Sequence, residues 1–184
     1  MHVQYAVVDR GVPDARSLRR WAQAALTDDA MVTLRFVGAR EGRRLNREFR
    51  GRDYATNVLT FVYSERRPLE GDIVLCAPVV RAEAANGHAR LQAHYAHLVV
   101  HGMLHLQGFD HQRARERELM ELLESEIVTR LGYPDPYVAS AQAPAATTST
   151  APVARTSRRG RRSYGRTPAP PCVGVLLAGA DRSR

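Results

Sequence analysis

Five of the seven histidines in this 184-residue chain fall between His94 and His111. The densest stretch reads His101-Gly102-Met103-Leu104-His105-Leu106-Gln107-Gly108-Phe109-Asp110-His111. Residues four apart on a helix share a face, so His101 and His105 can aim their imidazoles at one point. Gly108 permits the left-handed turn that ends such a helix, and the reversed chain can return His111 as a third donor. Three neutral imidazoles with a fourth position open are the usual makeup of a catalytic rather than a structural zinc site. The chemistry expected is hydrolysis, because bound zinc lowers the pKa of a water to roughly 7. One zinc ion per chain is expected, although an all-imidazole set also suits nickel, copper and iron.

The same histidine spacing occurs in one class of zinc peptidase, His-Glu-x-x-His-x-x-Gly-x-x-His. Where those enzymes carry the glutamate that acts as general base, this chain has Gly102. A metal can be held, but the peptidase's proton handler is missing, which disfavours peptide hydrolysis by that route. His94 and His97 fall on the same helix face as His101 and suit either hydrogen bonding behind the metal ligands or plain packing. Asp110 can orient its neighbour His111, handle protons, or cap the following turn.

A second concentration of charge runs from Arg40 to Asp53, with Arg40, Arg43, Arg44, Arg47, Arg50 and Arg52 offset by Glu41 and Glu48. It leads directly into Asp53-Tyr54-Ala55-Thr56-Asn57-Val58-Leu59-Thr60-Phe61, a polar turn entering an apolar strand. A basic element beside a metal suits a phosphate-bearing polymer, since arginine binds phosphate oxygens in a bidentate manner. A solvated helix face is the plainer reading of the same residues. The net charge of +8 does not decide between them. Residues 137–184 hold eight arginines and one aspartate, whereas residues 1–136 hold 19 arginines and 18 acidic residues. The basicity is therefore a property of the last quarter of the chain. There, Ala, Pro, Ser, Thr and Arg dominate and apolar periodicity ends, so 137–184 is expected to be a disordered tail.

The elements that must position these groups are mixed α and β. Short strands are expected over Val3–Val8, Met31–Val37, Val58–Tyr63 and Asp72–Cys76. A first helix opens at Pro13-Asp14 and carries Leu18, Trp21, Ala22 and Ala25 at helical spacing. A second covers about Glu41–Phe49 with Leu45 and Phe49 inward, and a third covers Pro78–Ala85. The histidine helix runs from about His88 or Leu91 to Leu106. A last amphipathic helix, Arg113–Leu131, sets Leu119, Leu122, Leu123, Ile127 and Leu131 inward. No run approaches the roughly 18 apolar residues of a membrane span, and the N-terminus lacks the features of a secretory signal. A cytoplasmic protein without membrane partners is expected. Cys76 and Cys172 have no ligand-pair spacing, and Cys76 reads as a small buried hydrophobe.

The stretch from His97 to His111 closely resembles the signature of the bacterial YbeY family of rRNA-maturation endoribonucleases. Phe49-Arg50-Gly51-Arg52-Asp53 through Phe61, and Gly71-Asp72-Ile73-Val74-Leu75-Cys76, resemble two further blocks of that family in the same order. The resemblance covers about residues 1–136 and implies a single α+β domain with a small mixed β-sheet packed by helices. It implies a zinc held by His101, His105 and His111, with Arg50 as the functional arginine of the cleft. It also implies single-strand-specific RNA cleavage in 16S rRNA 3′-end maturation and ribosome quality control, with ribosomal RNA and the small ribosomal subunit as partners and no role for DNA. Phe109 and Gln107 depart from the family's usual residues, and the tail lies beyond its pattern. Two other functions stand beside this one, a zinc metallopeptidase and a non-catalytic ribosome assembly factor with a structural metal.

Overall fold

The computed structural model describes residues 1–138, apart from residues 28, 65, 88 and 112, together with the backbone of residues 176 and 177. The chain folds into one α+β domain. In order it forms β1 (His2–Tyr5), α1 (Ala15–Ala25), β2 (Ala30–Val37), α2 (Ala39–Arg50), β3 (Val58–Ser64) and β4 (Leu69–Cys76). Then follow α3 (Ala77–Asn86), α4 (Leu91–Leu106), α5 (Ala114–Arg130) and the two-residue β5 (Leu176–Leu177). The strands make one mixed sheet in the order β1-β2-β4-β3-β5. β1 and β4 flank β2 in parallel, β3 runs antiparallel to β4, and β5 lies parallel to β3. The remainder of the expected tail lies outside the described residues.

Strand alternation divides the core between the two faces of the sheet. Ile73 and Leu75 of β4 join Val32, Leu34, Phe36, Val58 and Val62 in a large cluster with α1, α4 and α5. Val74 and Cys76, pointing the other way, join Val37, Leu59 and Phe61 under Leu45 of α2. Because β4 is covered on both faces, its second half is a continuous apolar run, as expected of a strand without a solvent side. Cys76 is 1% exposed and burial pushes its thiol up, which agrees with the reading of an inert buried hydrophobe. Cys172 lies outside the described residues.

Two helix faces differ from the sequence expectation. On α5, Leu119 and Leu122 are 49% and 66% exposed, and the buried stripe is Met120, Glu124, Ile127 and Val128, flanked by Leu123. Two apolar stripes about one position apart coexist on this helix. The helix turns inward the one that carries Glu124, whose carboxylate finds partners inside. On α2 the buried residues are Gly42 and Asn46. Leu45 is partly covered, and Phe49 stands 46% exposed with its ring edge-on to Phe61, centroids 5.0 Å apart. Asn46 takes the inward position because its Nδ2 donates to the Tyr54 carbonyl at 2.8 Å, holding the turn that follows the helix.

α4 is a core helix before it is anything else. Every residue from Tyr95 to Leu106 except His97 is buried, between the sheet on one side and α1 and α5 on the others. Such burial needs close approach to the sheet, and two glycines allow it. A Cβ on Gly102 would lie 2.8 Å from Ile73 Cδ1, and one on Gly71 only 2.3 Å from the Phe61 carbonyl oxygen and 2.4 Å from Leu106 Cδ2. The backbone oxygen cannot yield as a side-chain tip can. Gly71→Ala is accordingly expected to cost about 3 kcal/mol, the upper part of the range for overpacking. Urea denaturation checks this, and a loss below about 0.5 kcal/mol would contradict the close-approach argument.

Candidate metal centre

α4 brings His101 and His105 to the same face one turn apart, both inside the core at 2% and 1% exposure. The helix then stops in a glycine-based C-cap. Gly108 adopts a left-handed φ of 88°, its N–H donates to the His105 carbonyl, and the Phe109 N–H donates to the Leu104 carbonyl. The turn reverses the chain and sets His111 against the other two rings. His111 lies 5.6 Å from His101 and 5.0 Å from His105, centroid to centroid. One nitrogen from each of the three rings lies within 4.8 Å of the others. Among the described residues this is the one such group of His, Cys, Asp or Glu side chains able to hold a metal ion.

The hydrogen bonds orient each ring for that task. His105 Nδ1 donates to the Phe109 carbonyl at 2.8 Å, and His101 Nδ1 donates to Glu124 Oε1 at 2.7 Å. With both Nδ1 atoms committed as donors, the two Nε2 atoms face one another 3.1 Å apart. That separation is close to the span of about 3.3 Å between two donors on a tetrahedral ion with zinc–nitrogen bonds near 2.05 Å. A shared proton could also join the pair, but it would leave the buried His111 Nε2, which has no hydrogen-bond partner, unsatisfied. A metal ion satisfies all three. The donor set therefore fits a divalent cation that accepts imidazole.

The charge states agree. Burial, with help from the neighbouring His101 and His111, pushes the His105 imidazole down to about 3, so it is neutral near pH 7 with a free lone pair. Burial and His101 likewise push His111 down, against Asp110 and Glu124. Burial pushes the Glu124 carboxyl up, but hydrogen bonds from His101 and His97 outweigh it and hold the group well below the usual carboxylate range.

The remaining residues singled out in the sequence fall into place as follows. His97 Nε2 lies 2.8 Å from Glu124 Oε2, and His94 Nε2 lies 2.9 Å from Glu83 Oε2, so both meet carboxylates rather than the triad. Asp110 Oδ1 accepts from the His111 N–H at 2.7 Å and lies 3.8 Å from His111 Nδ1, capping the turn beside that ring. A cleft of about 550 Å³ opens next to it, lined by Gly108, Phe109, Asp110, Arg113, Glu116 and Leu119. Asn57 is an anchor: its Oδ1 accepts from the Val58 N–H at 2.7 Å and its Nδ2 donates to Glu83 at 3.0 Å. Thr56 is buried beside it. In the basic helix, Arg43 is paired with Asp53 and Arg44 with Glu48. Arg50, the last residue of α2, is different. Its Nη1 is buried with no hydrogen-bond partner, and burial, with Arg52 adding to it, pushes the guanidinium below its ordinary value. No hydrogen bond or ion pair among the described residues joins Arg50 to the three histidines.

Two residues were not anticipated. Glu124 is 1% exposed and touches His97 and His101, and the Tyr137 hydroxyl donates to Glu124 as well. The signal for Glu124 was an acid on the apolar stripe of α5, between Met120 and Ile127. Tyr137 had no signal, and a domain boundary drawn at residue 136 leaves it on the side of the tail.

A family profile described as Endoribonuclease YbeY matches residues 12–132. A protein from Aromatoleum aromaticum named Endoribonuclease YbeY is 62% identical over 125 residues, spanning 68% of this chain and 81% of that protein. One of the same name from Nitrosomonas eutropha is 56% identical over 138 residues, spanning 75% of this chain and 98% of that protein. A solution structure of a Thermotoga maritima protein aligns with a TM-score of 0.49 and 22% identity, over 78% of this chain and 97% of that one.

The buried imidazoles also dictate how the metal-free protein responds to acid. The unfolded chain takes up a proton at His105 near pH 6.5, whereas the folded ring stays neutral down to about 3. Stability is therefore complete above about pH 6.5 and is lost as pH falls towards 3, with a limiting slope of about 1.4 kcal/mol per pH unit for each such group. Glu124 is held below the usual range, so its contribution is lost only at lower pH. In a chelator, the urea midpoint is expected to fall between about pH 7 and about pH 5, and His105→Gln should flatten that fall. An equal slope in the variant would assign the acid sensitivity elsewhere.

Proposed function

Because the chain belongs to the YbeY endoribonuclease family, we propose that it is a zinc-dependent endoribonuclease cleaving single-stranded RNA. Its substrate on this reading is ribosomal RNA in the small subunit, where it matures the 3′ end of 16S rRNA and takes part in ribosome quality control. The site of action is the cytoplasm. The observation that carries the metal-dependent part is the convergence of three imidazoles with two Nδ1 atoms fixed as donors and a third ring left with an orphaned nitrogen.

In this reading His101, His105 and His111 hold one zinc ion, which supplies Lewis-acid activation of water and of the phosphodiester when bound. The protein's own groups do the rest. Arg50, with its buried unpartnered Nη1, binds the non-bridging phosphoryl oxygens and offsets the charge that grows on them as the bond breaks. The cleft beside Asp110 admits a flexible strand more readily than a duplex. Peptide hydrolysis is disfavoured on packing as well as on residue type. The position where a peptidase needs its glutamate is Gly102, where a Cβ would lie 2.8 Å from Ile73 Cδ1, so a side chain there would have to displace Ile73.

The test is metal analysis joined to incubation with a 16S rRNA 3′-precursor, with and without chelator. Cleavage is expected only with metal present. His111→Ala should lose both metal and cleavage while the metal-free fold melts close to the wild type. Arg50→Ala should keep its metal and lose about 100-fold or more of the activity, in line with removal of a transition-state donor. Cleavage that survives complete metal removal, or survives Arg50→Ala undiminished, would overturn the reading.

A further inference from the structure

Glu124 is bound more completely than its own burial requires. Oε1 accepts from His101 Nδ1 at 2.7 Å, and Oε2 accepts from His97 Nε2 at 2.8 Å and from the Tyr137 hydroxyl. With Oε2 held by two donors, the carboxylate cannot turn away from His101 without breaking all three contacts. The His97 ring also packs edge-on against Tyr137, centroids 5.6 Å apart. Tyr137 is in turn delivered by a pinned segment. Asp135 Oδ1 accepts from the Tyr137 N–H at 2.9 Å, and Asp135 Oδ2 accepts from the hydroxyl of Ser125, the residue after Glu124 on α5. The turn over residues 134–137 and the middle of α5 are thus closed into one unit behind His101.

We propose that Glu124 is the positioning residue that fixes His101 with its proton on Nδ1 and its Nε2 presented to the metal. Tyr137 is the lock on Glu124, so that metal affinity depends on docking of the 134–137 turn. A carboxylate behind a ligating imidazole does two things: it selects the tautomer and ring orientation, and it makes the opposite nitrogen a stronger donor. His105 receives the weaker version of this help from a backbone carbonyl, and His111 has only Asp110 at 3.8 Å. The effect is therefore concentrated on His101. The turn enters because Tyr137 begins the stretch that leads into the C-terminal segment, and anything that displaces it releases one of the two donors on Oε2.

This inference rests on the three histidines being a metal centre, and the experiment separates the two claims. Zinc dissociation constants are measured on the full chain by competition with a chromogenic chelator, for the wild type, Glu124→Met, Glu124→Gln and Tyr137→Phe. Nitrogen-15 NMR of the metal-free proteins reads the His101 tautomer directly. Glu124→Met is expected to weaken zinc by about 10- to 100-fold, the range for removing such a partner, and to shift His101 away from its Nδ1–H form. Glu124→Gln, which keeps one acceptor, should recover part of that loss. Tyr137→Phe should weaken zinc several-fold with the fold intact, because the residue is 38% exposed. Zinc binding within twofold of the wild type in Glu124→Met, with an unchanged tautomer, overturns the positioning role and leaves the metal centre standing. If Glu124→Met does not fold, Tyr137→Phe decides, and unchanged affinity there overturns the proposal. A wild-type chain that takes up no zinc removes the metal centre and this inference together.

Discussion

Every polar nitrogen on the inward face of α4 has to find a partner, because the helix is buried along most of its length. An unpaired polar group there costs a few kcal/mol, and a charged one more. The fold meets this constraint by assigning the nitrogens one at a time. Those turned away from the centre go to a backbone carbonyl and a buried carboxylate, and those turned towards it are left facing each other. Much of the local architecture follows. The glycine turn exists to return a carbonyl to His105 as well as to reverse the chain, and α5 turns an acid inward despite having leucines to offer.

The same constraint explains why the site is built on a core helix rather than on loops. Ligating side chains keep their geometry when their rotamers are fixed by packing on every side. α4 achieves this by pressing onto the sheet where Gly71 and Gly102 leave room. The glycine that removes a peptidase's general base is thus also the residue that lets the helix lie close to β4. Catalytic type and packing are read from one position.

The parts of this arrangement that were legible in the sequence are those written locally. His101, His105, Gly108 and His111 lie within eleven residues, and helix periodicity with one left-handed glycine suffices to bring them together. Most of the elements were legible from alternation and helical spacing, with Pro13-Asp14 marking where α1 opens; that Asp14 caps the helix, accepting from the Ser17 N–H, is seen only in the structure. What was not legible depends on contacts between distant segments. Glu124 is 23 residues from His101, and nothing on α5 says which of two neighbouring apolar stripes will face inward. The choice is made by the partners awaiting the carboxylate. On α2 the inward position of Leu45 was read correctly and that of Phe49 was not, because Asn46 is buried to serve the Tyr54 carbonyl and Phe49 remains at the edge. Arg50 was singled out by resemblance alone. Its isolation from the acids that neutralise Arg43 and Arg44 is visible only in three dimensions.

The glycine turn after α4 makes the three donors unequal. His101 and His105 ride on a helix that moves only with the core, whereas His111 hangs from the short connection between α4 and α5 and is only partly covered. Were an ion held by this set, two of its donors would be fixed by core packing and the third by a few residues of connecting backbone. Its loss would then call on local opening of that connection rather than on unfolding of the domain.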